Sequence, residues 1–214
     1  MQKIETILWD YNGTILDDAD LCVQSMNTLL KKRGLPLLSL SRYQEIFTFP
    51  VKDYYEKAGF DLINENFNIP ATEFIEIYKR QFHDVGIFKN IQNILQQFKD
   101  GGFRQFILSA MKKEQLIESV YRQKVDVFFE EILGIDDHYA NGKEHLAKSL
   151  LDRKQLVPEQ ICIIGDTLHD HEIAAAIGCE CILFSGGHQS RKRLKASGRK
   201  VIENIEEVKE IFSI

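Results

Sequence analysis

The fold of this chain is decided by residues 4–14, which have the sequence IETILWDYNGT. Residues 4–9 form a short apolar run with the length and composition of a buried β-strand. Asp10 follows this run directly, and residues 12–14 are of types that favour a turn. The segment therefore predicts a carboxylate at the carboxyl edge of a sheet, beside backbone N–H groups that can bind an anion.

The composition limits the classes of partner that this protein can have. With 214 residues, the chain is long enough for one domain and a small insertion. Its formal net charge of −5 argues against nucleic acid or an anionic membrane as a partner. No apolar run approaches the roughly 20 residues of a membrane span, no secretory signal is evident, and the four cysteines lack metal-ligand spacing. We expect a cytoplasmic protein, either a monomer or a small homo-oligomer.

Short apolar runs alternate with amphipathic stretches over most of the chain, which is typical of a parallel sheet with helices on both faces. Strands are predicted at residues 4–9, 104–109, 130–133, 161–165 and 181–184, with a short edge strand at 200–202. Helices are predicted between the later strands, at residues 91–99, 113–122, 144–151 and 169–177. This pattern predicts an α/β fold with a Rossmann-like parallel sheet.

Residues 18–86 break this alternation because they contain no convincing strand. Helices are predicted there instead, at residues 21–33, 43–47, 51–58 and 71–82. A helical block inserted directly after the first strand suggests a small cap domain over the carboxyl edge of the sheet. A helical layer packed on one face of the sheet is the alternative.

Candidate catalytic or binding side chains lie at four separate places, each at the end of a predicted strand or the start of a predicted helix. They are Asp10 with Asn12 and Thr14, then Ser109, then Lys143 after Asn141-Gly142, and finally Asp166 with Asp170 in the segment GDTLHD. Each residue alone has a plainer explanation as a turn former, a helix cap or a solvated side chain. In one parallel sheet, however, all four places meet at the same edge, and this makes the joint pattern specific.

This ordered set resembles the motifs of the haloacid dehalogenase superfamily across nearly the whole chain, and the layout is most similar to that of phosphoglycolate phosphatases. Phosphatases of that superfamily have Asp-x-Asp-Gly-Thr in the first motif, whereas Asn12 replaces the second Asp here. The resemblance implies a haloacid dehalogenase-like core of residues 1–17 and 87–214, with a helical cap of residues 18–86 inserted after the first strand. It also implies Mg²⁺-dependent hydrolysis of a small, enclosed phosphorylated metabolite.

The resemblance assigns a role to each candidate residue. Asp10 would be the nucleophile that forms an aspartyl-phosphate intermediate. The groups that would hold Mg²⁺ are the Asp10 carboxylate, the backbone carbonyl of Asn12 and the Asp166 carboxylate, with Asp170 supporting the metal through water or an outer contact. The residues that would hold the phosphoryl oxygens are Thr14, Ser109 and Lys143.

Position 12 belongs to the catalytic set with Asp10 and Lys143, so Asn12 decides how active such an enzyme can be. In superfamily phosphatases the Asp at this position protonates the leaving group and then activates water, which an amide cannot do. General acid–base catalysis contributes about 10²–10⁴-fold, so the substitution predicts reduced activity unless another group supplies the proton. The candidate groups are His169, His171 and His188, and His188 is preferred because the loop after its strand opens toward the same edge.

Two other functions stay open at this point. The chain could hydrolyse a different bond, as the dehalogenases and phosphonate hydrolases of the superfamily do, or it could bind a phosphorylated ligand or a partner with little turnover. A phosphatase is favoured because Asp10, Lys143 and both late carboxylates are retained. The cap residues that could contact the leaving group are Arg42, Lys52, Tyr54, Tyr55 and Arg80.

Overall fold

The centre of the fold is a six-stranded parallel sheet in the computed structural model, which describes residues 3–135 and 142–214. The strands are β1 (Thr6–Trp9), β2 (Arg104–Lys112), β3 (Glu131–Ile135), β4 (Ile161–Gly165), β5 (Glu180–Phe184) and β6 (Lys200–Ile202). Their order across the sheet is β3-β2-β1-β4-β5-β6, and every neighbouring pair is parallel. The α/β fold with a Rossmann-like parallel sheet is confirmed.

Ten α-helices accompany the sheet in the described residues. They are α1 (Ala19–Lys32), α2 (Leu40–Ile46), α3 (Val51–Ala58), α4 (Asn68–Gln81), α5 (Ile91–Asp100), α6 (Lys113–Arg122), α7 (Gly142–Lys154), α8 (Leu168–Ile177), α9 (Arg191–Lys195) and α10 (Glu207–Phe212). Helices α1 to α4 lie where the sequence predicts the helical block. Helix α10 is not predicted, because six residues give too few turns for apolar periodicity to be recognised. Within the described ranges, no helix has the length and hydropathy needed to cross a membrane.

Strand β2 is longer than the sequence predicts. The predicted strand ends at Ser109, whereas the observed strand continues to Lys112. Its pairing with β3 shifts register between Leu108 and Lys112, and Lys112 pairs with Ile135 beyond the irregularity. The sequence hides this extension because the apolar run that signals a buried strand has ended at Leu108.

Both faces of the sheet are covered, as parallel sheets require. Side chains alternate along β1, so Trp9 joins one apolar cluster and Leu8 joins the cluster on the opposite face. Trp9 pairs with Ile107 on one side and with Ile164 on the other, which places the end of β1 in the middle of the carboxyl edge. Asp10, the next residue, is thereby delivered to this edge.

Helices α1 to α4 pack around an apolar cluster of their own, separate from the two clusters of the sheet. Its fully buried side chains include Met26, Leu29, Tyr43 and Tyr54. Tyr78 of α4 packs against both this cluster and one of the sheet clusters, so α4 links the two cores. A separate core is what a cap domain requires, and the boundaries at residues 17/18 and 86/87 stay a prediction.

Truncating an isoleucine of the sheet core tests this layering. Ile164 on β4 is fully buried, whereas Ile63 is 95% exposed. We expect Ile164→Ala to lower the free energy of unfolding by about 2–5 kcal/mol, because the lost burial and the cavity both count. The same substitution at Ile63 should change it by less than about 0.5 kcal/mol. Urea unfolding followed by circular dichroism measures both values, and equal losses would contradict the assigned core.

Candidate active site

The loop after β1 carries Asp10 and folds back on itself. The N–H of Asp10 donates to the carbonyl oxygen of Ile164 at 2.8 Å, which fixes Asp10 to the end of β4. The Tyr11 carbonyl oxygen accepts hydrogen bonds from the N–H groups of Thr14, Ile15 and Leu16. Gly13 has a φ of +75°, a backbone conformation that favours glycine. This compact turn presents the Asp10 carboxylate at the carboxyl edge of the sheet.

Lys143 lies between two carboxylates at this edge. It is in the first turn of α7, and its side chain is 4% exposed. Its Nζ donates to Asp10 Oδ1 at 2.5 Å and also to Asp170 Oδ1. Burial by itself would lower the pKa of Lys143, but the two carboxylates outweigh burial and raise the pKa, so the lysine stays charged. Asn141, which precedes Lys143 in the predicted motif, lies outside the described residues.

Asp10, Asp166 and Asp170 form a buried carboxylate cluster, in which one oxygen of each residue lies within 4.8 Å of the others. Burial raises the pKa of Asp10 to about 6, although Lys143 opposes the shift. Burial also raises the pKa of Asp166 well above its usual value, with Asp10 and Asp170 adding to the rise and His188 opposing it. The cluster holds more negative charge than Lys143 neutralises, and a divalent cation that prefers oxygen ligands would stabilise it.

Asp170 is fixed by the start of α8. Its Oδ2 accepts hydrogen bonds from the Thr167 N–H at 3.0 Å and from Thr167 Oγ1 at 2.7 Å. Burial would raise the pKa of Asp170, but the ammonium group of Lys143 outweighs burial and lowers the pKa. Gly165 lies against the Asp170 side chain, and a Cβ there would overlap the carboxylate. The local sequence therefore sets both the orientation and the charge of this carboxylate.

Thr14 and Ser109 lie at the same edge, and both hydroxyl groups are engaged within the protein. Thr14 Oγ1 donates to Asp166 Oδ1 at 3.2 Å. Ser109, in the second half of β2, accepts a hydrogen bond at Oγ from the Met111 N–H at 3.1 Å. A hydroxyl that accepts from a backbone N–H keeps its own proton to donate. Ser109 can therefore still donate to an anion at this edge.

The side chain of Asn12 is turned to another buried carboxylate, that of Asp18. Asn12 Nδ2 lies 2.9 Å from Asp18 Oδ2 and 3.1 Å from Tyr78 Oη. Asp18 also accepts from the Gly13 N–H at 2.9 Å and from the Tyr78 hydroxyl at 2.7 Å. Neither Asp18 nor Tyr78 can be identified as a site residue from the sequence. The pair Asp17-Asp18, shortly after the first motif, is the one sequence feature that points to a carboxylate here. Nothing in the sequence distinguishes the buried Asp18 from the exposed Asp17.

Of the three candidate histidines, His188 is the one that the structure brings into the site. Its backbone N–H donates to Asp166 Oδ2 at 2.5 Å, and its Nε2 lies 3.4 Å from Asp18 Oδ1. Burial would lower the pKa of His188, but Asp18 and then Asp166 outweigh burial and raise the pKa to about 9. The other two histidines have partners elsewhere, namely Glu172 for His169 and Arg199 for His171.

Helices α1 to α4, which we call the cap, contribute two tyrosines that the sequence does not single out. Tyr43 Oη lies 2.9 Å from His188 Nδ1, and the Tyr78 hydroxyl donates to Asp18. The cap residues suggested by the sequence are placed differently: Tyr54 and Tyr55 lie in the cap core, and the side chains on the surface are Arg42, Lys52 and Arg80. The apolar pattern of a helix identifies its buried face but not the hydroxyl groups that reach a neighbouring site.

Comparison with known proteins places this sheet and its buried carboxylates in a family. A family model described as haloacid dehalogenase-like hydrolase matches residues 7–184. The matched segment includes Asp10, Lys143, Asp166 and Asp170. The chain belongs to the haloacid dehalogenase-like hydrolase family, which confirms the superfamily that the motifs predict.

Individual relatives agree with this family. The chain is 26% identical over 201 residues to a 5'-nucleotidase from Pseudomonas aeruginosa, covering 91% of this chain and 88% of the relative. It is also 26% identical over 177 residues to the pyrophosphatase PpaX of Bacillus thuringiensis, covering 78% of this chain and 77% of the relative. These relatives are consistent with the predicted phosphoric monoester hydrolase of this family.

Solved structures show the same fold. A haloacid dehalogenase-like family hydrolase from Streptococcus pneumoniae superposes with a TM-score of 0.83 at 21% identity, covering 99% of this chain and 100% of that chain. A protein described as a predicted phosphoglycolate phosphatase from Haemophilus somnus superposes with a TM-score of 0.77 at 17% identity, covering 99% of each chain. At these identities the likeness establishes the fold alone.

Gly187 leaves the space in which the Asp166 carboxylate lies. A Cβ at Gly187 would overlap the Asp166 carboxylate and the carbonyl oxygen of Gly13, whereas a Cβ at the exposed Gly86 would meet no atom within 4 Å. We expect Gly187→Ala to lower the free energy of unfolding by about 1–3 kcal/mol, because the loop or the carboxylate must move. The matched control Gly86→Ala should change it by no more than about 1 kcal/mol. Denaturant unfolding compares the two variants, and equal stability would contradict the close approach.

Proposed function

We propose that this protein is a Mg²⁺-dependent phosphatase that hydrolyses a small phosphorylated metabolite through an aspartyl-phosphate intermediate on Asp10. The observation that carries the proposal is the buried carboxylate cluster of Asp10, Asp166 and Asp170, with Lys143 ion-paired to two of its members. The family supports a hydrolase, and the relatives named as a 5'-nucleotidase and a pyrophosphatase support a phosphorylated substrate. The cytoplasmic location and the oligomeric state stay predictions.

The residues of the cluster fit a hard divalent cation. Their oxygen atoms converge within 4.8 Å, and the missing Cβ atoms of Gly13 and Gly187 give the Asp166 carboxylate room to lie close to both loops. The groups that would hold Mg²⁺ are the carboxylates of Asp10 and Asp166 and the backbone carbonyl of Asn12, with Asp170 in a supporting position. When bound, Mg²⁺ supplies positive charge that stabilises phosphoryl oxygens.

The proposed chemistry has two displacement steps at phosphorus. In the first, a carboxylate oxygen of Asp10 forms a bond to phosphorus while the bond to the leaving-group oxygen breaks. In the second, a water oxygen attacks phosphorus and the bond to Asp10 breaks, which releases inorganic phosphate and regenerates the carboxylate. The side chains that we propose to hold the phosphoryl oxygens are Ser109 and Lys143. Thr14 is predicted for the same role, and it can take part only when its hydroxyl proton is released from Asp166.

The leaving-group oxygen needs a proton that the amide of Asn12 cannot supply. We propose His188 as the source, because its backbone N–H donates to Asp166 and its ring lies beside Asp18. Its raised pKa of about 9 keeps the ring protonated at neutral pH. This assignment predicts a slower enzyme than the superfamily phosphatases that have a second Asp in the first motif, because the proton must come from a ring held by other partners.

A binding protein with little turnover is the second candidate, and the contacts of Asn12 favour it over other hydrolytic chemistry. The Asn12 amide donates to Asp18 and Tyr78, so position 12 is occupied within the protein. A cation and a phosphoryl group could then be bound without efficient release of product. Phosphate release distinguishes the two functions directly.

The test is release of inorganic phosphate from a panel of small phosphate monoesters and pyrophosphate, with Mg²⁺ or with EDTA. We expect release by the unmodified chain with Mg²⁺, loss of release with EDTA, and a fall of more than about 1,000-fold in Asp10→Asn, because the nucleophile is removed. The matched control is Asp152→Asn, at an exposed position in the last turns of α7.

Two results would overturn the phosphatase proposal. Release that survives in Asp10→Asn would exclude Asp10 as the nucleophile. No release by the unmodified chain, together with tight binding of Mg²⁺ and phosphate, would establish the binding function instead. Mass spectrometry of the peptide that contains Asn12 confirms that the amide is intact, since deamidation at Asn-Gly would create an acid at this position.

A further inference from the structure

Donors from four separate parts of the chain surround Asp18, and the nearest in sequence is Cys22 of α1, whose Sγ lies 3.7 Å from Asp18 Oδ2. The loop after β1 contributes Asn12 Nδ2 and the Gly13 N–H, and helix α4 of the cap contributes the Tyr78 hydroxyl. The loop after β5 contributes the ring of His188, with Nε2 at 3.4 Å from Asp18 Oδ1. Asp18 itself is 1% exposed. A single carboxylate therefore fixes the Asp10 loop relative to the cap and to the loop after β5.

The hydrogen-bonding capacity of the groups allows one arrangement around Asp18. An ionised carboxylate only accepts hydrogen bonds, so the NH₂ group of Asn12 must face it. The Tyr78 hydroxyl has one proton, which it donates to Asp18 at 2.7 Å, so at 3.1 Å it accepts from Asn12. Both N–H groups of the Asn12 amide and the O–H of Tyr78 therefore have acceptors. Asp18 and Tyr78 together require a group with two donors at position 12.

The charge of Asp18 is maintained by the same contacts. Three hydrogen-bond donors converge on its two oxygens, and the His188 ring lies 3.4 Å from Oδ1, which favours the ionised carboxylate. The Tyr78 hydroxyl keeps its proton on the side of this carboxylate, at 2.7 Å from Oδ2. Position 12 therefore faces a buried negative charge and a hydroxyl that has no second proton to give.

We propose that Asp18 is a positioning residue of the active site, and that its carboxylate is matched to the amide of Asn12, so that a carboxylate can stand at position 12 or at position 18 but not at both. In Asn12→Asp, an oxygen would replace Nδ2, which lies 2.9 Å from Asp18 Oδ2. The two carboxylates would repel each other, and Tyr78 could donate to only one of them. The catalytic part of this proposal rests on the proposed phosphatase function.

The exchange of the two side chains tests the match. The four chains are the unmodified protein, Asn12→Asp, Asp18→Asn and the double variant with both substitutions. In the double variant, an amide at position 18 can donate to a carboxylate at position 12 and still accept from the Gly13 N–H. We expect each single variant to unfold at a lower urea concentration than the unmodified chain, and the double variant to recover most of that loss.

The kinetic measurement uses the same four chains and one phosphate ester. We expect kcat to fall about tenfold or more in Asn12→Asp and to rise again by about tenfold or more in the double variant, while KM stays within about threefold. If Asn12→Asp lowered kcat only by destabilising the fold, replacing a second buried residue would not raise kcat again. The matched control is Asn12→Asp combined with Asp20→Asn, which has the same net charge but changes an exposed residue of α1. This control should show no recovery.

The outcomes separate this proposal from the phosphatase proposal. Urea unfolding in EDTA measures the match without any turnover, so recovery in the double variant supports it even if no chain releases phosphate. Additive losses in the double variant would overturn the match, while phosphate release by the unmodified chain would leave the phosphatase function intact. A gain in kcat with unchanged stability in Asn12→Asp alone would also overturn the match.

Discussion

Burial of several carboxylates at one edge of the sheet is the constraint on which the rest of the site depends. These carboxylates belong to Asp10, Asp18, Asp166 and Asp170, and each is 8% exposed or less. Removing charges of the same sign from water costs free energy, and their proximity adds to the cost. Two buried cations offset it, because Lys143 lies between two of the carboxylates and His188 lies against a third. Among the described residues, neither the Lys143 ammonium group nor the His188 ring forms an ion pair with Asp166. We therefore place the proposed divalent cation beside Asp166.

The parallel sheet brings these charges together. Trp9 pairs with Ile164, so the residues that follow them leave adjacent strands at the same level. Glycines provide the space for the carboxylates. Gly13 and Gly187 lie against Asp166, and Gly165 lies against Asp170. Any side chain at these positions would occupy the volume that the carboxylates need. Strand pairing and missing Cβ atoms thus determine how closely the negative charges approach.

The cap takes part in the site through neutral groups. The hydroxyl groups of Tyr43 and Tyr78 hydrogen-bond to a histidine and a carboxylate of the site, and a hydroxyl adds no further charge to desolvate. Gln44 of α2 also donates to the carbonyl oxygen of Gly187 at 2.8 Å. The contacts between the cap helices and the sheet edge are therefore partly contacts of the site itself. A change in the charge of Asp18 would therefore alter the contacts of α4 as well as those of the loop that carries Asp10, the proposed nucleophile.

Much of the fold and the central residues of the candidate site can be recognised in the sequence, because their signals are local. A buried parallel strand is a continuous apolar run, and a polar residue at its end marks the edge, as at Asp10 and Asp166. The partners of Asn12 leave no such signal. Tyr78 is 66 residues away from Asn12 in the chain, and the contact of Tyr43 with His188 spans 145 residues. Such contacts depend on how the cap helices pack against the sheet, and the local pattern of apolar and polar residues does not encode that packing.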